Sequence, residues 1–248
     1  MLRYFLILLF LLSLPYVAIA DDLDARNIIQ KVQDLMRSNT STARYNMQIQ
    51  TSDWQRTIRF DAWDERIEKR FFIRVLAPRK EQGTAWLKSD KNLWMYLPKL
   101  ERDIRIPASM MLSSWMGSDF TNDDLVKMDS VVADYDHKII KKDAHSITIE
   151  STAKPDAPVV WGKIIHVVDV SGIPLSDDYY DEHGVHIRHL TFSEVAVMDG
   201  RRIPTLWIMQ PLNNVGKKTL LKLEKATFDK PIQASVFTRA NLRRAGKR

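Results

Sequence analysis

The chain has 248 residues, a formal charge of +6 and no cysteine. Disulfide scaffolds, thiol chemistry, thiolate metal sites and a lipid-bearing N-terminal Cys are excluded at once. The length suits one large β domain, and the modest basic excess without a recognisable nucleic-acid module argues against nucleic acid as a partner.

Residues 1–20, MLRYFLILLFLLSLPYVAIA, carry one charge at Arg3, an apolar run and the small-x-small ending Ala18-Ile19-Ala20. This pattern predicts a cleavable secretory signal peptide. A retained membrane anchor fits less well, because the run is short, is broken by Pro15 and meets Asp21, Asp22 and Asp24 in place of a basic stop. The expected product is a periplasmic, monomeric domain spanning 21–248.

Next, Ala25, Ile28, Ile29, Val32, Leu35 and Met36 recur at helical spacing, with Asp22 and Asp24 at the end the helix dipole favours. The period then falls to two. Ala43, Tyr45, Met47 and Ile49 alternate with polar residues, as do Trp54, Ile58, Phe60 and Ala62, which predicts half-buried strands. RFFIRVL (70–76), TAWLK (84–88), NLWMYL (92–97) and ERDIRI continue the strand pattern across turn residues.

The segment from Ala108 to Met116 differs in kind. It gathers Met110, Met111, Leu112, Trp115 and Met116 between Pro107 and Gly117, and reads as a short amphipathic cover over something apolar. Burying five such side chains would be worth roughly 7 to 15 kcal/mol at about 1.5 to 3 each, an upper bound. Flexible methionine suits a surface that repacks against different partners. Packing into a permanent core is the plainer alternative, since apolar residues at helical spacing usually do so. Thr121, followed three residues on by Asp124, then marks a second helix start as an imperfect capping box.

Seven further strand signals follow, from DHKIIKK to KTLLKLEKATF, separated by Ser171-Gly172, His183-Gly184, Asp199-Gly200 and Asn213-Asn214. About a dozen antiparallel strands with few helices, the last of them over 235–244, predict a mainly β fold built on a single curved sheet. An outer-membrane barrel is disfavoured because charges such as Arg56, beside Trp54 and Ile58, interrupt the stripe that lipid would face. Arg239, Arg243, Arg244, Lys247 and Arg248 read as a solvated basic tail, or alternatively as a docking point for an acidic partner or anionic lipid.

Catalytic signals are missing. No nucleophile elbow, phosphate loop or dinucleotide fingerprint occurs, so no catalytic residue and no cofactor are expected. His183, His186 and His189 are the best candidates for metal ligands, but on a strand His186 points away from the other two, and no metal is expected. Asp119, Asp123 and Asp124 lack the calcium-loop spacing and are explained by capping.

The runs IRVLAP at 73–78, GTAWLK at 83–88, LWMYLPKL at 93–100 and RIPASMMLSSWMGSDFTNDDL at 105–125, with the closing VFTRANLRR, resemble the bacterial outer membrane lipoprotein-sorting protein domain, a relative of LolA and LolB. The resemblance implies an unclosed half-barrel with a helical lid over an apolar concavity that receives acyl chains. It also implies a non-enzymatic periplasmic carrier of a lipoprotein or lipid, accessory to an inner-membrane transporter, possibly of the resistance-nodulation-division type. Ligand-binding candidates are then the lid residues Met110, Met111, Leu112, Trp115, Met116 and Phe120, with Trp86, Trp94 and Tyr96 on the wall. Which strand face is concave stays open, and Trp54, Trp63, Trp161 and Trp207 are assigned to the core by default. A sixteen-carbon chain buries about 12 kcal/mol, close to the lid estimate, so near-balanced exchange is expected. A lipoprotein-sensing regulatory module on the same fold and an envelope hydrolase are the alternatives.

Overall fold

Helix α1, Val17–Met36, precedes an antiparallel meander of six strands: β1 (Thr40–Gln50), β2 (Gln55–Glu65), β3 (Arg70–Ala77), β4 (Ala85–Ser89), β5 (Asn92–Leu97) and β6 (Arg102–Arg105). The computed structural model describes residues 17–89, 92–214 and 216–244, with side chains from residue 24. The leader assigned to 1–20 therefore lies mostly outside the described residues. Because α1 begins at Val17, Asp22 and Asp24 sit within it; cleavage after Ala20 would place them at its start.

A segment of irregular and helical structure, residues 106–134, leads to the second meander. It holds two 3-10 turns, Ala108–Met110 and Trp115–Gly117, then α2 (Asn122–Val126) and α3 (Ser130–Asp134). Seven strands follow: β7 (Tyr135–Lys142), β8 (Ser146–Ala153), β9 (Lys163–Asp169), β10 (Pro174–Tyr180), β11 (His186–Met198), β12 (Arg201–Pro211) and β13 (Lys218–Phe228). A 3-10 turn and α4 (Arg239–Arg244) end the described chain.

All thirteen strands form one sheet in the order β6-β5-β4-β3-β2-β1-β13-β12-β11-β10-β9-β8-β7. The two meanders meet where β1 pairs with β13, and β6 and β7 are left as free edges, so the sheet does not close into a barrel. Segment 106–134 joins those two edges. A connection between opposite edges has to cross a face of the sheet, and this one acts as a strap.

Period-two alternation sorts the side chains by face. Met47, Ile49, Ile58, Phe60, Ile73, Val75 and Trp86 form one cluster with Ile106 and Trp115 of the strap, which defines the inner face. Phe72, Ala85, Leu87 and Tyr96 point outward, where Phe237 and Leu242 cover them. Strand β4 is thus buried on both sides. The basic tail is not a solvated appendage up to residue 244: Arg239 and Arg243 both bind Asp103 on β6, and Leu242 is fully buried. The two half-exposed arginines share one acid on the edge strand, which lets a charged run lie along the sheet edge while Leu242 is buried beneath it. Helix α1 covers the other half, with Ala25 and Ile29 packed on Ile149.

Candidate functional site

Between the inner face, α1 and the strap lies a largely apolar cavity of about 330 Å³, within the size range of ligand pockets. Its floor is aromatic. Tyr45 stacks on Phe60 at 5.3 Å and meets Trp207 at 5.9 Å, and Phe192 meets Trp207 edge-on at 6.0 Å. Ile29, Val32 and Met36 of α1 form the roof, while Trp115, Phe120, Leu125 and Met128 enter from the strap.

The strap folds as it does because its local chemistry closes several small rings. Thr121 Oγ1 accepts from the Asp124 N–H at 3.1 Å, and Asp124 Oδ2 accepts from the Thr121 N–H at 2.7 Å, so the capping box expected from sequence is complete. Met116 and Gly117 both take positive φ, 55° and 77°, which reverses the chain after Trp115. Glycine carries this conformation without strain. The reversal drives the Trp115 ring into the floor, edge-on to Phe60 at 5.3 Å and to Trp86 at 5.6 Å. Asp119 fixes the turn to β13, donating its N–H to Thr219 Oγ1 at 2.9 Å and accepting from the same hydroxyl at 2.7 Å.

Two ionic clasps hold the strap down. Arg188 on β11, with its side chain 6 % exposed, grips Asp124 with both terminal nitrogens at 2.7 and 2.6 Å. Its guanidinium is also packed against the rings of Trp161 at 4.3 Å and Tyr179 at 4.4 Å, a cation-π arrangement that suits a desolvated arginine. At the far end Arg37, in the turn just after α1, binds Asp64 at 2.7 Å and Asp129 at 2.6 Å, and Lys88 donates to the Val126 carbonyl at 2.8 Å. Burial pushes the Lys88 ammonium below its usual range and the Asp64 carboxyl above it, the direction desolvation imposes on each charge.

The residues singled out from sequence separate into groups. Trp115 and Phe120 line the cavity. Met111 and Met116 are partly buried against the neighbouring core, and Trp86 lies in that core beneath Trp115. Met110 and Leu112 are 47 % and 60 % exposed, because 3-10 turns and the left-handed pair at 116–117 break the helical stripe that was expected to bury all five. Trp94 and Tyr96 stand on the outer face, where alternation turns them away from the cavity; Arg239 lies 4.0 Å over Trp94, and Tyr96 packs with Leu242. Trp54 is solvent-exposed at 47 %, beyond the start of β2, and not core. Trp63 packs on Phe72 and also borders the cavity, as do Trp161 and Trp207.

Arg188 was missed. The available signal was its place two and four residues before Leu190 and Phe192, which puts a charge on an apolar strand face. The histidine geometry also differs from plain alternation: a bulge shifts the β10–β11 register so that Tyr179 faces Arg188 but Tyr180 faces His186. His186 Nε2 and His189 Nδ1 both reach Asp178, at 2.9 and 2.5 Å. Among the described residues, no group of three or more His, Asp or Glu side chains is arranged to hold a metal ion.

A family model described as an uncharacterized protein matches residues 68–244, more than half of the chain. No curated protein matches its sequence. Three solved structures share the fold. A DUF1329 family protein from Desulfovibrio piger superposes with a TM-score of 0.79 at 21% identity, over 90% of this chain and 99% of that one. A putative outer membrane lipoprotein-sorting protein domain from Vibrio parahaemolyticus gives 0.75 at 21%, over 90% and 100%. A LolA superfamily protein from Nitrosomonas europaea gives 0.73 at 17%, over 88% and 98%. The half-barrel architecture expected from sequence is therefore present, with its lid made of 3-10 turns and short helices.

Proposed function

The chain belongs to the uncharacterized-protein family whose model spans residues 68–244 and has the LolA-like fold, and from that premise we propose that it is a carrier for the acyl chains of a lipoprotein or lipid. The observation that carries the reading is the apolar cavity of about 330 Å³ closed by a strap that joins the sheet's two free edges. The names of two structural relatives, a lipoprotein-sorting domain and a LolA superfamily protein, support the same cargo class. We read the chain as exported to the periplasm, acting by exchange and not by catalysis, beside an inner-membrane transporter that supplies or receives the cargo.

The energetics lean toward loading. Only Trp115, Met111 and Met116 of the five greasy strap residues are buried or partly buried, worth about 4 to 9 kcal/mol at about 1.5 to 3 each. A sixteen-carbon chain offers about 12 kcal/mol. Loading is favoured, and release depends on an acceptor that holds the chain more tightly.

Transfer between vesicles tests this. Donor vesicles containing a fluorescent acyl lipid are mixed with unlabelled acceptors, with and without the purified chain. Transfer that accelerates in proportion to protein concentration supports a carrier. Binding of the lipid without transfer supports the sensing module, and no binding at all removes the acyl-cargo reading.

A further inference from the structure

One end of the cavity is polar in a way that a hydrocarbon tail does not require. His166 and Arg188 both line it, with side chains only 9% and 6% exposed. His166 Nδ1 lies 2.7 Å from Asp177 Oδ1. A carboxylate only accepts, so Nδ1 carries the proton and Nε2 of the neutral ring presents a lone pair. That Nε2, and the Nε–H of Arg188, have no hydrogen-bond partner among the described residues. Buried polar atoms in native proteins are nearly always satisfied by protein, water or ligand.

The two free atoms belong to one connected cluster. Asp177 Oδ2 is 3.4 Å from the Tyr179 hydroxyl, and Arg188 packs against the Tyr179 ring while holding Asp124. One atom is an acceptor and the other a donor, and a hydroxyl oxygen can satisfy both kinds. Charge selects further. Arg188 already faces Asp124 and Asp177, and Asp123, whose carboxyl is pushed up by burial, also lines the cavity. Of the charged residues that line the cavity, the cations Arg37, Lys127 and Arg188 are outnumbered by Asp64, Asp123, Asp124 and Asp177, so no excess of positive charge waits there for an anion.

We propose that this end of the cavity is a headgroup subsite for an uncharged, hydroxyl-bearing acyl lipid of the monoacylglycerol class, with His166 accepting the headgroup hydroxyl and Arg188 donating to an oxygen. The proposal rests on the acyl-carrier reading and deepens it. His166 and Arg188 are specificity-determining groups, while Asp177 positions the imidazole.

The experiment titrates the chain with 1-palmitoylglycerol, methyl palmitate and palmitate, following tryptophan fluorescence, since Trp161 and Trp207 line the cavity. The unaltered chain is expected to bind 1-palmitoylglycerol about 3- to 10-fold more tightly than methyl palmitate, the range one net hydrogen bond supplies, and palmitate more weakly still. His166→Phe should bring the two neutral lipids within about twofold, and His166→Gln, which keeps a polar atom at that place, should restore part of the difference. Equal binding of the neutral lipids by the unaltered chain overturns the subsite but leaves the carrier, as does a preference that survives in His166→Phe. Failure of all three lipids to bind overturns the carrier and the subsite together. If His166→Phe does not fold, as judged by circular dichroism, the ranking of the three lipids on the unaltered chain decides.

Discussion

Arg188 concentrates one end of the strap's attachment in a single guanidinium. Removing one partner of a buried ion pair leaves the other charged and unpaired, which costs about 3 to 5 kcal/mol; Arg188→Met is expected to lose stability in that range by urea denaturation. Faster amide exchange at Asn122 and Asp124 should accompany it. A loss under about 1 kcal/mol, with exchange unchanged, would show that the clasp is ornamental. His137 sets a second residue-scale expectation. Burial lowers its pKa from 6.5 to about 4. Between these values the unfolded chain binds a proton that the folded chain refuses, so stability falls as pH falls from 6.5 toward 4, by up to about 3 kcal/mol. Urea denaturation at pH 7 and pH 4.5 should show a smaller drop for His137→Gln than for the unaltered chain. Parallel drops would place the acid sensitivity elsewhere.

The terminal element α4 works as a plug on the outer face, and Leu242 is its anchor, 0% exposed beside Phe72 and Leu87. Leu242→Ala is expected to lower stability by about 2 to 5 kcal/mol, measurable as a shift of the thermal midpoint; an unchanged midpoint would mean that the tail is not docked in solution. This docking was illegible in the chain, because the acid that Arg239 and Arg243 bind, Asp103, lies 136 and 140 positions away. The strands themselves were legible wherever one face is wet, as in β1, where Ala43, Met47 and Ile49 alternate cleanly. Where both faces are covered, as in β4 and β5, hydrophobicity carries no sign of direction, and Trp94 and Tyr96 could not be told from Trp86. The strap could be located by its methionines and tryptophan, but its burial pattern could not be read. Two left-handed residues override the helical period there. Likewise the β11 bulge that gathers His186 and His189 on Asp178 leaves no mark on simple alternation.

At the scale of the molecule, an open thirteen-stranded sheet and a strap running from edge to edge form a container whose cover is part of its connectivity. Opening it means lifting the strap against the Asp124 and Asp129 clasps, so in the proposed carrier cargo entry would be coupled to a small set of ionic contacts and not to unfolding of the sheet. Except for Asp123 and Lys127, the charged residues that line the cavity are paired, which in the proposed carrier would suit a fatty tail while the strap is shut. The most direct measurement is native mass spectrometry of the protein purified from its own cells without detergent. The account predicts a population heavier than the apoprotein by one acyl lipid, released on activation and lost on washing with empty vesicles. A single species at the apoprotein mass, unchanged after incubation with 1-palmitoylglycerol or with a diacylated peptide, would contradict it.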